Sequence, residues 1–184
     1  MGGGEKALLT LSGRTLLSRA LDRLEPQVEA VAINANREVE RYAEYGYDVL
    51  RDPISGFVGP LAGVLAGMRW AAGQGASHVI TSAGDTPFAP PDLVARLMGG
   101  LGDAEIAMAA GPGGRHPTFA LWPVILADDL AAAIDGGMRK VVAWSDPHGC
   151  AAVEFADQPY DPFFNVNSPD DMREAEQIAA EFDL

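Results

Sequence analysis

The sequence predicts an α/β fold with three layers: a mostly parallel, twisted sheet covered by helices on both faces, with a small antiparallel excursion in the second half. Three observations carry this prediction. Short apolar runs alternate with helical patterns for most of the length. The connections between them are short and rich in Gly, Pro, Asn and Asp. Two apolar runs, Ile106 to Ala110 and Thr118 to Trp122, flank a Gly-Pro-Gly-Gly turn, the pattern of an antiparallel pair. With 184 residues, no internal repeat and no convincing linker, residues 1–184 are expected to form a single domain.

Leu8 to Leu11 reads as a brief strand closed by Ser12-Gly13. Thr15 can cap a helix that places Leu16, Leu17, Ala20, Leu21 and Leu24 on one face. Val28 to Ile33 reads as a buried strand, Arg37 to about Tyr45 as a short polar helix, and Tyr47 to Leu50 as the next strand. After a loop from Asp52 to Gly59, Pro60 suits the first turn of a helix reaching to about Ala72. Val79 to Ala83 is a strand broken by Gly84-Asp85-Thr86-Pro87, and a helix runs from near Pro90-Pro91 to the glycines at 99 and 100. After the antiparallel pair, helical patterns cover Val124 to Ile134 and Arg139 to Trp144, and Ala151 to Phe155 forms a strand. Ser168 caps a closing helix with Pro169 at its first position and Asp170 and Asp171 in its first turn. Trp70, Trp122 and Trp144 are assigned to the core.

Composition narrows the function. Thirteen Lys+Arg against 26 Asp+Glu give a net charge of −13. A surface of that sign repels nucleic acid and anionic membranes. A small phosphorylated substrate then needs a few cations or a metal to reverse the local field. No apolar stretch reaches the roughly 18 residues of a membrane span, and the N-terminus lacks the pattern of a signal peptide, so a cytoplasmic location is expected. Cys150, the single cysteine, reads as a small buried hydrophobe.

In an open parallel sheet, ligands bind at the carboxyl ends of the strands. Four segments put polar residues there: Asn34 and Asn36, Asp52, Asp85, and Asn165 with Asn167. Each alone is ordinary turn chemistry; their convergence on one sheet edge is not required by turns. Asp85, projected by the Thr86-Pro87 turn, is the candidate Mg²⁺ ligand, and Asn167 could add a neutral oxygen. Gly59, Gly63 and Gly67 open a helix whose bare N-terminal face suits either close packing on the sheet or a nucleotide. Lys6 is the candidate phosphate contact, with Arg115-His116 and Arg139-Lys140 the other basic clusters. His116, beside a proline, reads as a structural hydrogen-bonder rather than a general base.

Met1-Gly2-Gly3 with Lys6, Ile33-Asn34-Ala35-Asn36, Asp52, Gly59-Pro60-Leu61-Ala62-Gly63, Gly84-Asp85-Thr86-Pro87, His116-Pro117-Thr118 and Phe164-Asn165-Val166-Asn167 together resemble the molybdenum cofactor guanylyltransferases in order and spacing. The resemblance runs from the first residue to about residue 175. It implies a Rossmann-like nucleotidyltransferase fold that uses GTP, Mg²⁺ and molybdopterin, with transient protein partners that deliver or accept the cofactor. It implies that Lys6 and Asp85 are catalytic, and that Lys6, Asn34, Asp52, Gly59, Gly63 and Asp85 bind the nucleotide. Asp85 and Asn167 would hold the metal, and Arg139, Lys140, Asn165 and Asn167 would serve the pterin substrate. Members of that family carry a strand and a Leu-Ala-Gly-Gly loop, roughly twenty residues, before the Met-Gly-Gly. The sequence in hand does not contain that piece, so two sheet edges are expected to lack a partner. Other nucleotidyltransferases of the same fold, cytidylyl- or sugar-phosphate-specific, and a non-catalytic nucleotide- or pterin-binding module are the alternatives.

Overall fold

The computed structural model of the protein describes residues 6–54 and 59–184. The glycines at 2, 3 and 4 and part of the Asp52–Gly59 loop lie outside the described residues.

A single 3-10 turn, Lys6–Leu8, leads into a hairpin of β1 (Thr10–Leu11) and β2 (Arg14–Thr15). Ser12 and Gly13 both have positive φ, the geometry of a two-residue hairpin turn. The strand expected at Leu8–Leu11 is thus cut to two residues, because the tight turn folds it back on itself. Helix α1 (Leu16–Leu24) starts as anticipated: Thr15 Oγ1 accepts from Ser18 N at 3.1 Å, and Leu16, Leu17, Ala20 and Leu21 are buried along one face.

Strand β3 (Ala32–Asn34) pairs in parallel with β4 (Asp48–Leu50), with the short helix α2 (Val39–Ala43) between them in sequence. The strand expected over Val28–Ile33 is shorter and shifted, since a 3-10 turn occupies Glu25–Gln27 and β4 is its one partner among the described residues. Helix α3 (Pro60–Gly73) follows, then β5 (His78–Thr81) and α4 (Leu93–Gly100). The second half contributes β6 (Ile106–Gly111), β7 (Gly114–Pro123), α5 (Ala127–Asp135), α6 (Val141–Ser145), β8 (Cys150–Glu154) and α7 (Pro169–Glu181).

The larger sheet has the order β5-β7-β6-β8. Strand β7 is antiparallel to both neighbours, whereas β6 and β8 are parallel. The sheet is therefore mixed, and the antiparallel strand of the second half sits inside it. Alternation along the strands builds the three layers. Ile106, Met108, Ala120 and Trp122 point to a core shared with Leu61, Leu65 and Met68 of α3, Leu130 of α5 and Trp144 of α6. Ala107, Ala109, Phe119 and Leu121 point the other way, onto Leu93 and Leu97 of α4 and onto Phe155 and Phe163.

Between β3 and β5 the sheet is interrupted. Among the described residues, β3 pairs only with β4 and β5 only with β7. Helix α3 packs against β3 and β5 alike, so the two sheet sections share a floor. The space between them is a cavity of about 1050 Å³ lined by Leu17 and Leu21 of α1, Ile33, Val64, Val79 and Ile80, among others.

Candidate active site

The polar ends of β3, β4 and β5 surround the mouth of this cavity, where Lys6, Asn34, Gly63 and Asp85 all contribute to the lining. Asn34, Asn36 and Asp52 form a tight amide–carboxylate lattice. Asn34 Nδ2 donates to Asp52 Oδ1 at 3.1 Å, and Asn36 Nδ2 donates to Asp52 Oδ2 at 2.7 Å. Asp52 N returns a bond to Asn36 Oδ1 at 2.9 Å. Parallel pairing of Asn34 with Leu50 puts the ends of β3 and β4 level, which is why these side chains meet. Asn36 contributes as much to this lattice as Asn34, although only Asn34 is among the residues the family resemblance implicates; the Asn-x-Asn spacing after a strand was the available signal.

Both glycines expected at the helix mouth have a steric reason to be glycine. Gly59, which caps α3, has φ 75° and ψ −165°, a conformation essentially reserved for glycine. A Cβ on Gly63 would come within 2.7 Å of Asn34 Oδ1. Gly67, one turn further in, faces Val79 at ordinary contact distance, 3.6 Å, and serves packing.

Asp85 follows β5 and is held from the far end of the chain: Val166 N donates to its carbonyl at 3.1 Å. Its carboxyl is mostly buried, and desolvation raises its pKa above the ordinary carboxylate value. The charge of Lys6 works in the opposite direction. Ser82 Oγ and Thr86 Oγ1, which bracket Asp85 in sequence, are buried without a protein hydrogen-bond partner among the described residues. Lys6 Nζ donates to Asn167 Oδ1 at 2.7 Å, bringing together residues 161 positions apart. Asn165 and Asn167 are both exposed. Asn167 is fixed at its backbone, since Asn167 N and Ser168 N both donate to Asp171 Oδ2, at 2.8 and 2.9 Å. The Asn167 amide, then the Ser168 hydroxyl and amide, hold the Asp171 carboxyl below its ordinary pKa.

Arg139 and Lys140 lie between α5 and α6. The Arg139 carbonyl is 3.8 Å from where a Cβ of Gly59 would stand, so the pair borders the start of α3. Arg139 Nη1 is engaged by its own segment, donating to Ile134 O at 2.8 Å and Met138 O at 2.7 Å. Lys140 is exposed. Other basic and aromatic residues depart from their expected roles. Arg115 is ion-paired with Asp146, its Nη1 2.5 Å from Oδ1, because β7 and the loop after α6 meet there. His116 stacks on Phe163 and makes no hydrogen bond among the described residues. Trp122 and Trp144 are buried, whereas Trp70 is only part-buried and its Nε1 donates to Asp48 Oδ2 at 3.0 Å. Cys150 is likewise part-buried, and burial raises its thiol pKa.

The sequence matches the MobA-like NTP transferase domain over residues 1–150. It is 47% identical to the molybdenum cofactor guanylyltransferase of Rhodopseudomonas palustris strain BisB5, across 97% of this chain and 88% of that one. The chain belongs to the molybdenum cofactor guanylyltransferase family. Among solved structures, the molybdopterin-guanine dinucleotide biosynthesis protein A of Archaeoglobus fulgidus superposes with a TM-score of 0.76 at 25% identity, covering 97% of this chain and 92% of that one. A Mycobacterium tuberculosis protein crystallised as a complex with manganese shares the fold, with a TM-score of 0.67 at 17% identity over 94% of this chain and 91% of its own. As a member of this family the chain is an enzyme, a nucleotidyltransferase of molybdenum cofactor biosynthesis, and its fold is the Rossmann-like one of these neighbours. Among the described residues, no helix is long and apolar enough to cross a membrane.

Proposed function

We propose that the protein transfers GMP from GTP to molybdopterin and releases pyrophosphate. The observation that carries this reading is the meeting of Lys6, Asp85 and Asn167 at one sheet edge, next to the Asn34–Asp52–Gly63 cluster, in a chain of this family.

The reaction joins two anions. A terminal phosphate oxygen of molybdopterin attacks the α-phosphorus of GTP in line. The bond from that phosphorus to the bridging oxygen of the β-phosphate breaks, and pyrophosphate leaves with the electron pair. The attacking oxygen is already ionised, so no histidine or cysteine has to remove a proton. What remains is alignment and charge neutralisation. Asn34 and Asp52 would hold the guanosine part, while Gly59 and Gly63 leave the start of α3 bare for it. Lys6, a flexible point charge, would leave Asn167 for a phosphate oxygen. Arg139 and Lys140 would face the phosphate of the pterin substrate, Lys140 with its whole ammonium and Arg139 with the nitrogens not engaged by α5. Asn165 and Asn167 would lie near the reacting phosphates.

The residues fit a divalent cation. Asp85 is a part-buried carboxylate whose pKa is raised by desolvation, which a bound cation would reverse. The unpartnered hydroxyls of Ser82 and Thr86 add polar groups nearby in sequence. Among the described residues no group of three or more acidic, His or Cys side chains is clustered for a metal. That suits Mg²⁺, which keeps waters and substrate phosphates in its shell and takes one or two protein carboxylates. Held by Asp85 with Asn167 as a neutral ligand, it would neutralise developing charge on the phosphates. The manganese complex of the Mycobacterium tuberculosis neighbour supports a divalent ion in this fold. Transient partners that deliver or accept the cofactor, and a cytoplasmic location, belong to the same reading.

The test is pyrophosphate release from each of the four NTPs with Mg²⁺ and molybdopterin, on this chain and on one extended upstream in frame. Release with GTP alone, abolished by Asp85→Ala, is the expected result. Preference for CTP would point to another nucleotidyltransferase of the fold. Ligand binding without release from either folded chain would leave a binding module.

A further inference from the structure

We propose that His116 is a positioning residue for the reaction, its ring stacked on Phe163 so as to set the 163–167 segment and, through it, Asn165 and Asn167. This rests on the functional reading above.

The His116 ring lies 4.3 Å from that of Phe163 at an interplanar angle of 29°, a stacked pair. Phe163 is 5% exposed and is also held by Phe119, at 4.8 Å and 57°, and by Phe155, at 5.3 Å and 86°. Three rings thus clamp Phe163, but only His116 meets it nearly face to face. The Arg96 guanidinium lies 3.9 Å over Phe155 and steadies that side of the cluster. His116 is part-buried, and desolvation lowers its pKa against the pull of Asp161, which favours the neutral ring in the stack.

From Phe163 the chain passes directly to the site. Val166 is fully buried and donates its N–H to the Asp85 carbonyl, while Asn167 receives Lys6. Downstream, Ser168 and Asp171 close a capping box that anchors the start of α7. The asparagines therefore lie among three fixed points, the aromatic clamp, the Val166–Asp85 bond and the helix cap. Loosening the first removes the anchor on the Phe163 side of Asn165.

A cavity of about 100 Å³ lies beside the stack, lined by Gly111, Gly113, Phe155, Asp161 and Phe163 as well as His116 itself. A Cβ on Gly111 would stand 3.4 Å from His116 Nε2, so the hairpin tip fits closely around the imidazole. Truncating the ring would enlarge that cavity beside Phe163 and give Phe163 room to tilt. The stack needs a flat ring of this size and does not use its nitrogens. That separates positioning from contact with substrate.

The experiment compares His116→Ala, His116→Phe, Asn167→Ala and the His116→Ala/Asn167→Ala double variant of the full chain. Pyrophosphate release and amide hydrogen exchange over residues 163–168 are the two readouts. Loss of one aromatic stack predicts exchange at Val166 and Asn167 about fivefold to tenfold faster in His116→Ala. The turnover number is expected to fall by a similar factor with the KM for GTP less affected, His116→Phe to behave as wild type, and the double variant to be no slower than Asn167→Ala. If His116→Ala does not fold, His116→Leu keeps the volume but loses the flat stack and carries the same expectations. Failure of His116→Phe to rescue, or losses that multiply in the double variant, would overturn the proposal. The exchange arm uses no substrate. Unchanged exchange in His116→Ala therefore sinks positioning even in an active enzyme, whereas a wild-type chain without GTP-dependent release sinks the functional reading instead.

Discussion

Lys6 Nζ donates to Asn167 Oδ1 at 2.7 Å, tying the first described residue of the chain to the segment that enters its last helix. Asn167 is thus held at its side chain by Lys6 and at its backbone N–H by Asp171, the residue that closes the helix's capping box. If Lys6 is a phosphate ligand, Lys6→Ala should lower turnover with GTP by about 10²-fold while barely changing the melting temperature, because an exposed hydrogen bond contributes little to stability. Steady-state kinetics beside thermal melts checks this. Equal losses in stability and turnover would assign Lys6 to the fold instead.

Asp85 offers a test by pH. Its pKa is raised in the folded chain, chiefly by desolvation. The folded state therefore holds its proton more tightly than the unfolded one, and stability falls as pH rises from the ordinary carboxylate range through the higher folded value. Asp85→Asn removes the part-buried charge. Without divalent cation, the variant should melt at or above the wild-type temperature at neutral pH, and the difference should vanish as the pH drops to about 4. Its GTP-dependent activity should be lost. A variant that melts lower than wild type at neutral pH would show that the ionised carboxylate stabilises the fold.

The two helix glycines should part company on replacement by alanine. Gly67→Ala meets only Val79 at 3.6 Å and gains helix propensity, so it should stabilise by up to about 1 kcal/mol. Gly63→Ala would push Asn34 Oδ1, 2.7 Å away, and loosen the bond from Asn34 to Asp52. Stability should change little, since the end of a side chain can move. GTP affinity should weaken by about tenfold, the equivalent of ~1.4 kcal/mol, or one hydrogen bond to a charged partner. Calorimetric binding curves for both variants decide it.

Asp171 Oδ2 accepts from Asn167 N and Ser168 N, and Asp171 N donates to Ser168 Oγ to close the capping box. The Asn167 amide, with the Ser168 hydroxyl and amide, depresses the carboxyl pKa. A depressed carboxylate stabilises above its unfolded pKa, and that contribution is lost as pH falls through the folded value. Ser168→Ala should cost about 1 kcal/mol at neutral pH. The stability lost in Asp171→Asn should shrink below the ordinary carboxylate range. Chemical denaturation at several pH values measures both.

What the sequence determined by itself is what is encoded locally. Thr15 ahead of a run of leucines at helical spacing specified α1 and its cap, and Ser168-Pro169-Asp170-Asp171 specified the start of α7. Polar residues directly after apolar runs marked Asn34, Asp52 and Asp85 as strand-end groups, since turn chemistry and strand length are short-range properties. The residues that look like the family's own motifs supplied the substrate class. What only the tertiary structure decided depends on pairing between distant segments. Nothing local to Gly114–Pro123 says that β7 lies between β5 and β6 rather than at an edge. Trp70 reads as core by composition, yet it is drawn to the surface by Asp48, 22 residues away. His116 reads as a polar group beside a proline, yet it acts as a flat ring because Phe163 folds back against it. The bond from Lys6 to Asn167 closes across the whole chain. Contacts of that kind cost loop-closure entropy and form only when the packed core holds both ends in place, so no window of sequence contains them.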